Sequence, residues 1–231
     1  MKKFLLIAVF LPAGQMAFGG NITGTVRAQP KAGADAGGAA GGAYASAKYK
    51  FVERVDYAAM HDFVVYIDGL TVTNATPSTN TAEVTTTAVA QHKAEFFPHV
   101  LPVLAGTKVE WPNRDEIFHN VFSVSDAHPF DLDLYKGNPK EKAQTFDQPG
   151  KVDVFCSIHA NMHCIVLVMA NPYFATTDAD GHYTIPNVPP GTYKLKAWHE
   201  RLPADVQEII VPANGAVKVD FTLTIKNLPH Y

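Results

Sequence analysis

Seven residues, Cys156-Ser157-Ile158-His159-Ala160-Asn161-Met162, set a thiol, an imidazole and a thioether at three-residue spacing. They lie between a strand-like run, Lys151 to Phe155, and an apolar run, Ile165 to Met169. Upstream, another apolar run, Ile117 to Val124, carries His119-Asn120. One cysteine, two histidines and one methionine are the donor set of a mononuclear blue-copper site. Thiolate and imidazole hold both copper oxidation states, and a thioether is a weak axial donor that raises the potential. Cys156 would supply the electron-rich bond through which an electron leaves. His119 and His159 would complete the plane, and Met162 would stand on the axis. Three donors on one loop and a fourth on a distant strand can meet only if the fold builds the site.

The rest of the composition is compatible with that. The chain has 231 residues, 47% hydrophobic and 18% charged, which suits one large or two small packed domains rather than general disorder. A formal charge of −3 excludes the basic balance of a nucleic-acid binder. Lys2-Lys3, the short apolar run Phe4 to Ala13 and the small residues of Ala17-Phe18-Gly19 read as a cleaved secretory signal over residues 1–19. The apolar run is short for a bilayer-spanning anchor, which is the alternative. The remaining chain is more acidic and has no later apolar stretch of spanning length. It is expected to be periplasmic or secreted, without a stable membrane anchor.

Cys156 and Cys164 are the only cysteines. In an oxidising compartment a disulfide is the alternative to a metal site, but so small a loop gains little from closure, and the nearby histidines and methionine would lack a common purpose. Cys164 is expected to be a small buried core residue.

No segment shows a long 3.6-residue apolar period, and the pattern reads as all-β. Strands are expected at 21–27, 63–67, 107–111, 117–124, 151–155, 165–169, 173–177, 182–185, 192–198 and 208–211. Pro98 and Pro102 make 96–104 an edge strand or extended segment. Residues 28–47, mostly Ala and Gly with one Pro, read as a flexible linker. Residues 71–90 read as an exposed connection, and 126–138 as polar with scattered aromatics. Asn214-Gly215 reads as a hairpin turn before a strand over 216–225.

Residues 91–170 resemble a cupredoxin, the plastocyanin, azurin and amicyanin family. The resemblance is carried by V-L-P-V-L-A-G-T-K-V-E-W-P-N-R-D at 100–115, H-N at 119–120, F-D-Q-P-G at 146–150 and C-S-I-H-A-N-M at 156–162. It implies a Greek-key β-sandwich binding one copper through His119, Cys156, His159 and Met162. It also implies supporting roles for Asn120 and Ser157, with the residue after the first histidine locking the copper loop. The two-residue gap between His159 and Met162 is similar to the short amicyanin loop. The sequence departs from the pattern at His163-Cys164, two further donors directly after Met162. His163 is an alternative axial ligand or an outward-facing electron entry point. A binuclear copper centre needs both cysteines before the histidine, and multicopper oxidases and copper nitrite reductases carry His-Cys-His; neither arrangement is present. Zinc is the competing metal for a Cys-His-His set.

The stretch Y-F-A-T-T-D-A-D-G-H-Y-T-I-P-N-V-P-P-G-T-Y-K-L-K-A-W-H at 173–199 resembles the carboxypeptidase-regulatory-like, transthyretin-like β-sandwich. That family opens with strands like 22–27 and 63–69, which here precede the cupredoxin segment. The expected organisation is a cupredoxin domain, 91–170, inserted in or joined to a second small β-sandwich formed by 20–90 and 171–231. His182, His199 and Glu200 are candidates for a second site, or ordinary solvated or hydrogen-bonded side chains. The expected function is single-electron transfer by Cu(I)/Cu(II) cycling with redox partner proteins. Copper storage or delivery, or a structural or carbohydrate-binding protein with a degenerate cupredoxin, are the alternatives. No triad, phosphate loop or paired-carboxylate motif points to an enzyme, and a four-donor copper leaves no open position for substrate.

Overall fold

A computed structural model describes residues 19–30, 56–70, 86–137 and 142–224. The signal-like segment before Gly19, most of the Ala/Gly-rich stretch and residues 71–85 of the connection expected over 71–90 lie outside the described residues. The strands are β1 (Gly20–Gln29), β2 (Val64–Asp68), β3 (Thr86–Ala88), β4 (Ala90–His92), β5 (Glu95–Phe97) and β6 (Val100–Leu104). They continue with β7 (Thr107–Glu110), β8 (His119–Ser123), β9 (Phe130–Tyr135), β10 (Ala143–Phe146), β11 (Gly150–Phe155) and β12 (His163–Met169). The last are β13 (Phe174–Thr176), β14 (His182–Val188), β15 (Gly191–His199), β16 (Leu202–Val211), β17 (Ala216–Lys218) and β18 (Phe221–Thr224). Among the described residues the only helical element is a 3-10 turn, Tyr57–Ala59, and no helix is long and apolar enough to cross a membrane. The fold is all-β.

One unit stacks the sheet β6-β12-β11-β8-β9 against β10-β7-β3, with the β4-β5 hairpin beside them. Its core includes Val109, Trp111, Val121, Phe146, Val152, Val154 and Val166. The edge position of β6, paired on one side to β12, is where a strand holding Pro102 can sit. The other unit has two sheets, β13-β2-β15-β16 and β14-β1-β17, with β18 also paired to β1. It is therefore assembled from strands on both sides of the first unit in sequence. Ile22, Phe63, Ile67, Ile185, Leu195 and Leu223 lie in its core.

Strand β12 joins the two. Successive side chains of a strand point to opposite faces. Cys164, Val166 and Val168 enter the first core, whereas Ile165, Leu167 and Met169 pack with Val64 and Val100 in a seam also touched by Tyr66, Phe174 and Trp198. Burial on both faces explains why Ile165 to Met169 is an unbroken apolar run rather than an alternating one.

Three sequence expectations need correction. Asn214-Gly215 does not make a hairpin: β16 lies in one sheet and β17 pairs in parallel with β1 in the other. The strand expected over 216–225 is two, β17 and β18, both parallel to β1. The chain between them presses so closely on β1 that a Cβ at Gly24 would lie 1.7 Å from the Val219 carbonyl oxygen, which only glycine avoids. Residues 126–138 contain β9, and 86–92 contribute β3 and β4, which a polar reading of those segments did not reveal.

Candidate metal centre

The two chain segments that carry the candidate donors are fixed by neighbouring strands. His119 opens β8, and Cys156 directly follows β11. Phe155 at the end of β11 pairs with Phe122 of β8, which brings the two strands side by side at the site. His159 and Met162 lie on the turn between β11 and β12. That turn is closed by hydrogen bonds from Met162 N to His159 O at 3.0 Å and from Cys156 N to Met162 O at 3.2 Å.

The side chains converge. Nδ1 of His119 lies 3.0 Å from Nδ1 of His159, and Cys156 Sγ lies 3.7 Å from the same His159 nitrogen. One donor atom from each of the three falls within 4.8 Å of the others. His119, Cys156 and Met162 are buried, and His159 is partly exposed. Met162 packs in the same core as Cys156. Asn120 spans the gap between the segments: its Oδ1 accepts the Ser157 N–H at 2.7 Å, and its Nδ2 donates to Asp131 at 3.0 Å.

Sequence reasoning did not single out Asp115, although it stands four residues before His119. Its carboxylate accepts from His119 Nε2 at 2.8 Å, Lys93 N at 2.7 Å and Ala94 N at 2.9 Å. Lys93 and Ala94 form the β4-β5 turn with φ of +55° at both positions, a conformation that side chains disfavour and that the carboxylate helps hold. Burial pushes the Asp115 carboxyl up, but the bonds from Ala94, His119 and Lys93 outweigh it and hold it at about 2. An ionised carboxylate on Nε2 keeps the proton there and leaves the His119 Nδ1 lone pair pointing at His159. A carboxylate that orients a ligating imidazole in this way raises its basicity toward a metal. Asn113 shapes the same loop, donating to Ile117 O and Tyr135 O and accepting from Asp115 N.

The remaining expected candidates lie elsewhere. His163, weighed as an axial ligand, is on the opposite side of β12 from Cys164; its Nε2 is 3.1 Å from Asp153 and its ring stacks on Phe155 at 4.9 Å. Cys164 is buried and its thiol is pushed up by burial; both cysteines are free. His182, His199 and Glu200 do not gather. His182 is exposed, His199 packs on Phe63, and Glu200 pairs with His99.

Residues 82–169 match the family of copper binding proteins, plastocyanin/azurin family, and residues 166–224 match the carboxypeptidase regulatory-like domain. The two matches overlap at 166–169, within β12, the strand shared by both units. Among solved structures it is similar to a Cu-containing nitrite reductase from Thermus scotoductus SA-01, at 28% identity over 36% of this chain and 22% of that one, with a TM-score of 0.34. It is also similar to a purple cupredoxin from Nitrosopumilus maritimus, at 20% identity over 36% of this chain and 99% of that one, with a TM-score of 0.32. A Cu(I) amicyanin variant is 27% identical over 36% of this chain and 82% of that one, with a TM-score of 0.30. The chain spans about a fifth of the nitrite reductase's length. No curated protein matches it.

The donor chemistry fits copper. One thiol and two imidazole nitrogens are the soft and borderline donors that tolerate both oxidation states. The two ring nitrogens 3.0 Å apart are close enough to share one cation in place of the single proton of an N–H···N bond.

Proposed function

We propose that this chain is an exported type 1 copper protein that carries single electrons, with one copper per chain. His119, Cys156 and His159 would hold the ion, and Met162 would supply the axial sulfur. The observation that carries this reading is the meeting of three donor atoms within 4.8 Å, from a strand start and a loop held together by the fold. When bound, copper supplies a one-electron couple between Cu(I) and Cu(II).

The protein's own residues do the rest. Asp115 fixes the tautomer and orientation of His119. Asn120 ties the Ser157 backbone to β8, so the Cys156 loop keeps its place. Burial of His119 and Cys156 excludes water, and donors held in position by such contacts need little rearrangement when charge changes. His159 is the most accessible donor, and its neighbour Ile158 is 52% exposed. Ile117 and Phe118, just before His119, are 48% and 57% exposed. Exposed apolar side chains beside the accessible donor suit brief docking of a redox partner protein. With Met162 as the fourth donor, the set would leave no open position, which favours a carrier over a catalyst. Export to the periplasm or beyond rests on the signal-like first residues, and neither a nucleic acid nor a membrane anchor enters this reading.

Copper-loaded protein is expected to show an intense thiolate-to-copper visible band that disappears in Cys156→Ser. A colourless copper-loaded chain would sink the proposal. Reversible one-electron voltammetry separates a carrier from a delivery protein, which must release its metal readily.

A further inference from the structure

A second group of donors lies at the junction of the two units. His99 stands between β5 and β6, His163 opens β12, and Glu200 sits in the turn between β15 and β16. They are far apart in sequence, yet one donor atom from each falls within 4.8 Å of the others. Two come from the copper-binding unit and one from the other.

The hydrogen bonds around them are those of prepared ligands. His99 Nδ1 lies 3.1 Å from the His163 carbonyl oxygen, which only accepts, so this nitrogen carries a proton. His99 Nε2 is then the donor nitrogen, and it faces Glu200 Oε2 at 2.9 Å. A neutral ring would point a lone pair at a carboxylate. The contact therefore needs a second proton on the ring, or a metal ion to one side that takes both atoms as neighbouring ligands. The His163 Nε2 faces Asp153 at 3.1 Å, and an ionised carboxylate likewise keeps the proton on that nitrogen, freeing Nδ1. Bonds from Lys151 to Asp153 at 2.7 and 3.0 Å hold that carboxylate in place. Stacking on Phe155 fixes the His163 ring plane. Each imidazole thus has one nitrogen pinned by an acceptor, as metal-bound histidines do.

We propose that His99, His163 and Glu200 form a second metal site, separate from the copper centre, that takes a divalent zinc-like ion and clamps the two β units together. Two imidazoles and a carboxylate, without sulfur, suit such an ion, with solvent in the remaining position.

The test measures zinc retained by the full chain after gel filtration. In a Cys156→Ser background, which lacks the copper-site thiolate, one zinc per chain is expected to remain. Adding Glu200→Gln or His99→Gln should remove that ion and abolish the rise in melting temperature that zinc produces. Glu200 lies in a surface turn, so Glu200→Gln tests the site even if His99→Gln unfolds. Unchanged zinc content on adding Glu200→Gln overturns the proposal and leaves His99 and Glu200 as an ion pair only. The copper band of the unsubstituted chain is scored separately, so a colourless copper-loaded chain that loses zinc with Glu200→Gln would sink only the copper reading.

Discussion

The two β units bury different kinds of side chain. The regulatory-like unit closes over Ile22, Val26, Ile67, Ile185, Leu195 and Leu223, and its few buried polar residues are Asn171 and His199. The copper-binding unit buries Gln91, Asn113, His119 and Asn120 in addition to its apolar core. Those polar groups are connected. The Gln91 side chain donates to Trp111 O at 2.9 Å, Arg114 N donates to Gln91 O at 2.9 Å, and Asn113 shapes the loop that delivers Asp115 to His119. Buried polar groups that bond to one another in this way fix one arrangement of the network's members. The difference teaches that apolar packing dominates one unit, where Asn171 and Tyr183 bond only to nearby backbone carbonyls and amides, whereas the other also spends a buried network on placing a donor.

The largest expected effect tests the first half of that statement. Leu195 is fully buried in the regulatory-like core, and Leu195→Ala is expected to lower unfolding free energy by about 3 kcal/mol in urea titrations. The folded variant should keep the wild-type copper band. A shifted band in folded Leu195→Ala would break the contrast between scaffold and site. Asp115→Ala should cost about 2 kcal/mol, because it strands donors that now share an ionised acceptor. Unlike the leucine variant, it should also alter the visible spectrum, because His119 loses the partner that sets its tautomer. A spectrum identical to wild type would remove Asp115 from the site.

The same contrast governs what the sequence disclosed. Donor types were legible because Cys156, His159 and Met162 are local and His119 sits in an apolar run, where a polar residue stands out. Most strands were legible from β-branched alternation. Strand β9 was missed although Phe130-Asp131-Leu132-Asp133-Leu134 alternates; Asp133 adopts φ +54°, and beyond it burial no longer follows the alternation, leaving Leu134 exposed and Tyr135 buried. Gln91 was hidden in a Thr- and Ala-rich stretch whose burial is settled by neighbours distant in sequence. The grouping of His99, His163 and Glu200 could not be read at all, since it depends on how the two units meet. Asp115 carried the one signal that was available, its four-residue spacing from His119, but a loop gives such spacing no fixed geometry.

The smallest expected effect lies on the regulatory-like side and concerns a carboxylate that is solvated rather than buried. Asp220 Oδ1 accepts from Thr25 N at 2.9 Å and Thr25 Oγ1 at 3.0 Å, and Oδ2 lies 3.2 Å from Lys218 Nζ. Lys218 first, then Thr25, holds the Asp220 carboxyl below its ordinary value of 3.8. A carboxyl depressed in the folded state stabilises fully above its unfolded value and stops doing so as pH falls through the folded one. Wild type should therefore melt slightly above Asp220→Asn at neutral pH, and the gap should close as pH drops below 3.8. Added salt should also narrow it, because solvent-exposed charges are screened. If the gap instead persisted in acid, the contribution of Asp220 would come from the shape of the β17-β18 connection over Gly24, and packing rather than charge would account for this unit's surface as it does for its core.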